Sequence, residues 1–135
     1  MAGIYLHIPF CKQACHYCDF HFSTSLNKRD DMVKALLAEL VLQKNYLGSR
    51  PVETIYFGGG TPSLLTASEI QLLIDQVALH FSLSAHAEIT LEANPDDLSA
   101  QKVRELKATM VNRFSVGVQS FFEDDLSWMN RAHNA

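Results

Sequence analysis

The chain has 135 residues, of which 47% are hydrophobic and 19% charged, and its formal net charge is −4. This composition is typical of one globular domain that can bury a real core. Acidic and basic residues are interspersed, so the sequence offers no basic footprint for nucleic acid and no polybasic membrane contact. No apolar stretch approaches the roughly 20 residues that a transmembrane helix needs.

Four short runs typical of β-strands alternate with helical patterns along the chain. This alternation predicts parallel strands joined by right-handed crossovers, and therefore an α/β fold. The predicted order is a strand at 3–8, a helix at 27–47, a strand at 54–57, a helix at 66–80, a strand at 88–91, a helix at 99–108, a strand at 113–118 and a last helix from about 123.

The first predicted helix is long and amphipathic. Asn27 is its expected N-cap, Asp30 and Asp31 suit the positive first turn, and Gly48 suits the C-terminal stop. The apolar residues at helical spacing are expected to face inward; they are Val33, Leu36, Leu37, Leu40, Val41 and Leu47.

The next two helices carry clearer start signals. Residues 66–69 read Thr-Ala-Ser-Glu, which is a capping box, and Ser99 can cap the third helix. The side chains expected to face the core from these helices are Ile70, Leu73, Ile74, Val77, Val103 and Leu106.

All three cysteines of the chain, Cys11, Cys15 and Cys18, follow the first strand with the spacing CxxxCxxC. Three clustered thiolates can hold three irons of a [4Fe–4S] cube and leave the fourth iron open to another ligand. An odd number argues against disulfides, and clustered free thiols favour a reducing, cytoplasmic environment. A zinc site that adds His16 or His21 remains an alternative.

Other chemistry-bearing residues also fall where strands end. A Gly-Gly-Gly-Thr segment at 58–61 follows the second strand, Glu92 the third, and Gln119 the fourth. In a parallel barrel the active site is built from the loops at these ends. Each feature has a plainer interpretation, since the glycines could form a simple turn and Glu92 could pair with a surface cation. His7 either lines this site or packs within a barrel layer, and Phe20 and Phe22 are expected to shield the cysteines from water.

Taken together, these segments resemble the radical S-adenosylmethionine superfamily, and within it the branch of oxygen-independent coproporphyrinogen III oxidases and HemW-type heme chaperones. CxxxCxxC alone indicates only the superfamily, whereas the GGGTP and GVQSF segments narrow the resemblance to this branch. The resemblance implies a partial (β/α) barrel of which residues 1–135 supply the first part, in agreement with a chain end that lacks a capped helix or polar tail. The matching segments are 5–20, 56–63, 92–95, 113–121 and 130–133.

The resemblance also implies cofactors, partners and residue roles. Cys11, Cys15 and Cys18 match the ligands of the [4Fe–4S] cluster. An electron donor such as flavodoxin or ferredoxin, a heme or porphyrin, and an unidentified heme acceptor are the implied partners. The positions that match contacts to S-adenosylmethionine are Tyr5, Tyr17, Gly59, Gly60, Thr61, Glu92, Gln119 and Arg131.

The residue that directly follows CxxxCxxC distinguishes the oxidases of this branch from its heme chaperones. The oxidases carry a further cysteine directly after CxxxCxxC, where this chain has Asp19. Asp19 therefore favours similarity to the heme chaperones. The oxidase, which converts coproporphyrinogen III to protoporphyrinogen IX, and a non-catalytic zinc module remain as alternatives.

Overall fold

The strands form one parallel sheet whose order, β1-β2-β3-β4, follows the order of the chain. The computed structural model describes residues 2–135. Helices lie in the connections between strands, which confirms the predicted α/β fold. The strands are β1 (Ala2–Ile8), β2 (Val52–Gly59), β3 (Leu83–Ala93) and β4 (Arg113–Val116), and the helices are α1 (Arg29–Leu42), α2 (Ala67–His80), α3 (Ala100–Lys107) and α4 (Glu123–Trp128), with short 3-10 helices at Pro62–Leu64 and Pro95–Asp97.

The two faces of the sheet differ in character. Leu6, Phe57 and Leu91 are paired across β1, β2 and β3, and all three are buried in one core cluster with residues of α1 and α2. Because successive side chains of a strand point to opposite faces, the residues next to them form a second face. That face is polar and leads to the carboxyl ends of the strands; it carries Tyr5, His7, Tyr56, Thr90, Glu92, Arg113 and Ser115.

The bounds predicted for α1 are wrong at both ends. The N-cap is Lys28, not Asn27, and its side chain makes no capping bond. The helix ends at Leu42, after which the chain continues in three-residue turns, such as the bond from the Tyr46 amide to the Gln43 carbonyl. These tighter turns bring Leu47 back against the core, whereas Val41, predicted to face inward, is exposed.

Helix α2 matches its prediction closely because its start signal is local. The Thr66 hydroxyl accepts a bond from the Glu69 amide at 3.2 Å, and the Glu69 carboxylate accepts one from the Thr66 amide at 2.7 Å. These two reciprocal bonds form the predicted capping box. All the predicted inward residues of this helix are fully buried; they are Ile70, Leu73, Ile74 and Val77.

Replacing Thr66 by alanine should lower the free energy of unfolding by about 1 kcal/mol, because the side-chain acceptor at the N-cap is lost. Thr66→Ser is the matched control, since it keeps the hydroxyl. Denaturant unfolding measures both. Equal stability of Thr66→Ala and the unaltered chain would show that the capping box contributes nothing.

The later elements depart from prediction in smaller ways. Ser99 caps α3 by accepting a bond from the Lys102 amide, as predicted, but Val103 is exposed rather than inward. β4 ends at Val116 and not at residue 118, because the chain then bends through a bond from the Val118 amide to the Val116 carbonyl. Gln119 lies in the loop that follows, with a φ of 65°.

Both outer edges of the sheet are unpaired within residues 2–135, since β1 pairs with β2 alone and β4 with β3 alone. Large apolar side chains are also exposed near β4 and α4, among them Phe121, Phe122 and Trp128. In the part of the chain that the structure describes, no helix combines the length and hydropathy needed to cross a bilayer.

Candidate functional site

A pocket of about 270 Å³ opens at the carboxyl ends of the strands. It gathers almost all of the predicted site residues, although they come from five separate stretches of sequence. Tyr5 is the exception and lies outside it. The predicted residues in the lining are Cys11, Cys15, Tyr17, Cys18, Gly59, Gly60, Thr61, Glu92, Gln119 and Arg131, and the others are Gln13, Phe20, Phe22, Ala93, Asn94, Ser115 and Gly117.

The cysteine loop, residues 11–18, brings three free and partly buried thiols to this pocket. Burial raises the pKa of the Cys11 thiol, and a hydrogen bond with Thr61 offsets part of that rise. Iron binding at Cys11 therefore has to displace a proton.

The three thiols line one pocket, and their ligand chemistry can be compared with what a zinc ion and a cluster each require. Among residues 2–135, no three His, Cys, Asp or Glu side chains converge closely enough to hold one metal ion. Ligands of a zinc ion must converge in this way, whereas each cysteine of a [4Fe–4S] cluster binds a different iron atom. The nitrogen Nδ1 of His16, a proposed zinc ligand, instead bonds the Trp128 carbonyl at 2.8 Å. The assignment of the three thiols to a [4Fe–4S] cluster therefore stays a prediction, and the zinc site stays its alternative.

The first half of the cysteine loop is anchored to the loop after β3. Lys12 forms ion pairs with Asp96, at 2.9 Å, and with Asp97. Burial lowers the pKa of Lys12, but hydrogen bonds to Asp97 and Asp96 outweigh it and leave that pKa raised. Asp97 also accepts a bond from the buried Ser63 hydroxyl at 2.6 Å. Lys12 thus stays charged and holds the chain beside Cys11.

The glycine segment after β2 lies directly against the cysteine loop. The Gly60 amide donates to the Ile8 carbonyl at 2.9 Å, and the Thr61 amide donates to the Phe10 carbonyl at 2.6 Å. A Cβ atom on Gly60 would lie 2.6 Å from the Phe10 carbonyl oxygen and 3.0 Å from the Cys11 sulfur. Only glycine therefore allows this close approach of the two loops.

Gly60→Ala should impair cluster loading, because the added methyl group displaces backbone beside Cys11. Gly48→Ala is the control: Gly48 has a φ of 58°, nothing lies within 4 Å of its Cβ position, and it is remote from the pocket. The control should lose about 1 kcal/mol of stability but keep its iron content. Iron and sulfide analysis after anaerobic reconstitution distinguishes them, and equal iron in both variants would contradict the prediction.

Glu92 is the one carboxylate in the pocket lining. It lies one residue before the end of β3, and not after the strand as predicted. Its oxygens accept a bond from the Tyr56 hydroxyl at 2.6 Å and from the Gly59 amide at 3.3 Å. The hydrogen bond to Glu92 raises the pKa of Tyr56, and burial adds to the rise, so the phenol stays protonated as a donor. These contacts fix Glu92 at the pocket wall.

Arg131 connects the opposite wall to the cysteines. Its Nη1 donates to the Cys15 sulfur at 3.5 Å and to the Tyr17 hydroxyl at 3.2 Å. Its Nη2 donates to the Asn94 side chain at 2.9 Å and to the Gly117 carbonyl at 2.8 Å. The pocket therefore presents a guanidinium and a carboxylate on different walls, an arrangement that suits a ligand with both charges.

Sequence reasoning missed Asn94 as a site residue, although it lies in one of the matching segments. Its amide nitrogen donates to the Thr61 hydroxyl at 3.3 Å while its oxygen accepts from Arg131. Asn94 thus joins the glycine segment to Arg131. The available signal was its position directly after β3, two residues after Glu92.

Tyr5 and Gln119 are the two predicted cofactor contacts at opposite limits of the site. Tyr5 stacks on Tyr56 with ring centroids 6.0 Å apart, and its hydroxyl contacts His7 Nδ1 at 3.2 Å. Tyr56 in turn donates to Glu92, so Tyr5 lies behind the wall that carries this carboxylate. Gln119 does line the pocket, and its side-chain amide lies 3.2 Å from the Cβ position of Gly117, beside Arg131.

Comparison with known proteins gives a consistent result. The family model "Radical SAM superfamily" matches residues 5–135. "Heme chaperone HemW" of Escherichia coli K12 is 45% identical over 133 residues, which are 97% of this chain and 35% of that protein. "Heme chaperone HemW" of Bacillus subtilis 168 is 40% identical over 135 residues, which are 98% of this chain and 36% of that protein.

A solved structure gives the same fold. It is described as "Coproporphyrinogen III oxidase (HemN) from Escherichia coli is a Radical SAM enzyme", and it matches with a TM-score of 0.87 and 31% identity over 98% of this chain and 31% of its own. This chain therefore spans about a third of the length of the proteins it matches. From the match over residues 5–135, the chain belongs to the radical S-adenosylmethionine superfamily.

Proposed function

We propose that this chain binds a [4Fe–4S] cluster through Cys11, Cys15 and Cys18, and S-adenosylmethionine at the fourth iron. The observation that carries the proposal is one pocket that contains three free thiols, Glu92 and Arg131. Three thiolates leave one iron of a cube without a protein ligand, and that iron can accept the amine and carboxylate of the cofactor. When bound, the pair would supply one-electron cleavage of the sulfonium.

The residues around the cysteines match the charges of such a ligand. Glu92 can accept hydrogen bonds from an ammonium or from ribose hydroxyls. Arg131 and Asn94 are already held together at 2.9 Å, so a carboxylate or hydroxyl would meet donors that are fixed in place. Gly59, Gly60 and Thr61 bring backbone polar groups to the same wall, and Tyr17 and Gln119 complete the proposed set.

Phe20 and Phe22 also line the pocket, next to Cys18. Phe22 is half-buried there, but Phe20 is 71% exposed, so Phe20 does not shield the cysteine loop as the sequence predicted. Protection of a reduced cluster from solvent is a contribution that the protein, rather than the cofactors, has to make.

We further propose that residues 1–135 are the N-terminal part of a radical S-adenosylmethionine core domain, and that the complete protein is a heme chaperone of the HemW type. The curated relatives named above carry that description at 40–45% identity. Asp19, which follows the last cysteine and is exposed, agrees with it. Heme or porphyrin is then the cargo, a flavodoxin or ferredoxin the electron donor, and a further protein the heme acceptor.

The second candidate is an oxygen-independent coproporphyrinogen III oxidase, favoured by the fold shared with the structure described as that enzyme. One pair of assays decides between them in the complete protein, isolated anaerobically. A chaperone should shift the heme Soret band on titration and leave coproporphyrinogen III unchanged in the presence of reductant and S-adenosylmethionine. Formation of protoporphyrinogen IX would establish the oxidase instead.

A further inference from the structure

Residues 128–131, at the end of α4 and just beyond it, lie against the second half of the cysteine loop. Gln13 Nε2 donates to both oxygens of Asn130, at 2.9 Å to the backbone carbonyl and 2.6 Å to Oδ1. Asn130 Nδ2 donates in return to the Ala14 carbonyl at 2.7 Å. These reciprocal bonds join residues that are separated by 116 and 117 positions in the chain.

The same segment holds His16 and Cys15. The His16 amide donates to the Met129 carbonyl at 3.1 Å, and its ring Nδ1 donates to the Trp128 carbonyl at 2.8 Å. Within residues 2–135, every hydrogen bond from residues 13–17 to another part of the chain ends on residues 128–131. The position of this half of the cysteine loop therefore depends on that segment.

The segment itself is fixed by the fold rather than by the loop. Leu126 anchors α4 in the interior with 1% exposure, and its carbonyl accepts a bond from the Arg131 amide at 2.9 Å. Asn130 has a φ of 57°, a left-handed conformation that asparagine tolerates better than most residues with a side chain. This backbone places the Asn130 carboxamide on the loop and the Arg131 guanidinium in the pocket.

We propose that Gln13 and Asn130 are positioning residues that set the cysteine loop in its cluster-binding shape and couple it to the Arg131 wall of the pocket. The part of this inference that concerns the cluster rests on the proposed function. Because Arg131 belongs to the segment that holds the loop, a displaced loop also moves Cys15 relative to Arg131. Cluster and S-adenosylmethionine then favour the same arrangement, so the binding of one strengthens the binding of the other.

Two single variants of the full chain test the pair. Asn130→Gly keeps the left-handed backbone and removes the carboxamide, and Gln13→Glu keeps the shape but replaces the donor by an acceptor. Gln101→Glu is the matched control, because Gln101 bonds Glu105 on the surface of α3 and does not line the cysteine pocket. The readout is amide hydrogen exchange before any metal is added.

Both variants should exchange the His16 amide about tenfold faster than the unaltered chain, since each loses hydrogen bonds that hold this stretch. The Cys11 amide, bonded to the Ser23 carbonyl, and the amides of α2 should not change. In the double variant that combines Gln13→Glu with Asn130→Gly, the His16 amide should exchange little faster than in the faster of the two single variants. Unchanged exchange at His16, additive effects, or equal acceleration in α2 would overturn the proposal.

Anaerobic loading with iron and sulfide gives the second readout. In both variants we expect the S-adenosylmethionine concentration needed for a half-maximal change in the cluster EPR signal to rise about tenfold, with no rise in Gln101→Glu. An unchanged concentration in both would overturn the coupling. If the unaltered chain assembles no cluster, the proposed function fails, whereas hydrogen exchange still decides whether Gln13 and Asn130 position the loop.

Discussion

Cys15→Ala should abolish the [4Fe–4S] cluster, because a cube held by two thiolates exposes a second iron to solvent and exchange. Cys15 is the thiol that Arg131 contacts at 3.5 Å, and it lies in the half of the loop held by residues 128–131. The expected result after anaerobic reconstitution is loss of nearly all the brown colour and of the broad visible absorbance. Secondary structure should be unaffected, since no core residue is changed.

His21→Ala is the control for this experiment. His21 is exposed and belongs only to the zinc alternative. It should keep the full cluster absorbance. Full iron and sulfide content in Cys15→Ala would show that the ligand assignment is wrong, and loss of bound metal in His21→Ala would favour the zinc site instead.

Glu92→Gln should weaken S-adenosylmethionine binding by about 1.5–3 kcal/mol, which is the range for hydrogen bonds to a charged group. The amide keeps the shape of the side chain, and its single oxygen can still accept the shorter bond, from Tyr56. Its nitrogen cannot accept the longer bond from the Gly59 amide, and the variant also loses the negative charge that a cationic ligand meets. The cluster content should not change.

Glu88→Gln is the matched control for Glu92→Gln. Glu88 lies on the same face of β3 but outside the pocket lining, where it pairs with Arg113 at 3.2 Å. The dissociation constant, measured by titration of the cluster-loaded protein, should rise at least tenfold in Glu92→Gln and stay unchanged in Glu88→Gln. The same constant in both variants and in the unaltered protein would remove Glu92 from the binding site.

Features whose signals are local in sequence could be predicted well. The capping box of Thr66 and Glu69 fixes the start of α2, and Ser99 does the same for α3. The cysteine spacing and the glycine segment can likewise be recognised from a few neighbouring residues. Helix α1 was predicted too long because the apolar spacing continues to Leu47, although the backbone changes from helix to three-residue turns after Leu42.

Features that depend on distant contacts could not be predicted. Asn94 joins Thr61 to Arg131, and only the packed sheet brings these three residues together. The contact between Gln13 and Asn130 spans 117 residues, and although both lie in segments that match the family, nothing in the sequence pairs them. The stacking of Tyr5 on Tyr56 also depends on the packed sheet, and the contact of Tyr5 with the cofactor stays a prediction.

If one pocket holds both an open cluster and its organic cofactor, adding S-adenosylmethionine must change the surroundings of the fourth iron. EPR of the anaerobically reconstituted and reduced protein, recorded with and without S-adenosylmethionine, measures that change. We expect a reduced [4Fe–4S] signal whose g-values change when the cofactor is added, because the cofactor binds the fourth iron. A cluster signal that the cofactor leaves unchanged, or bound zinc without iron and sulfide, would contradict it.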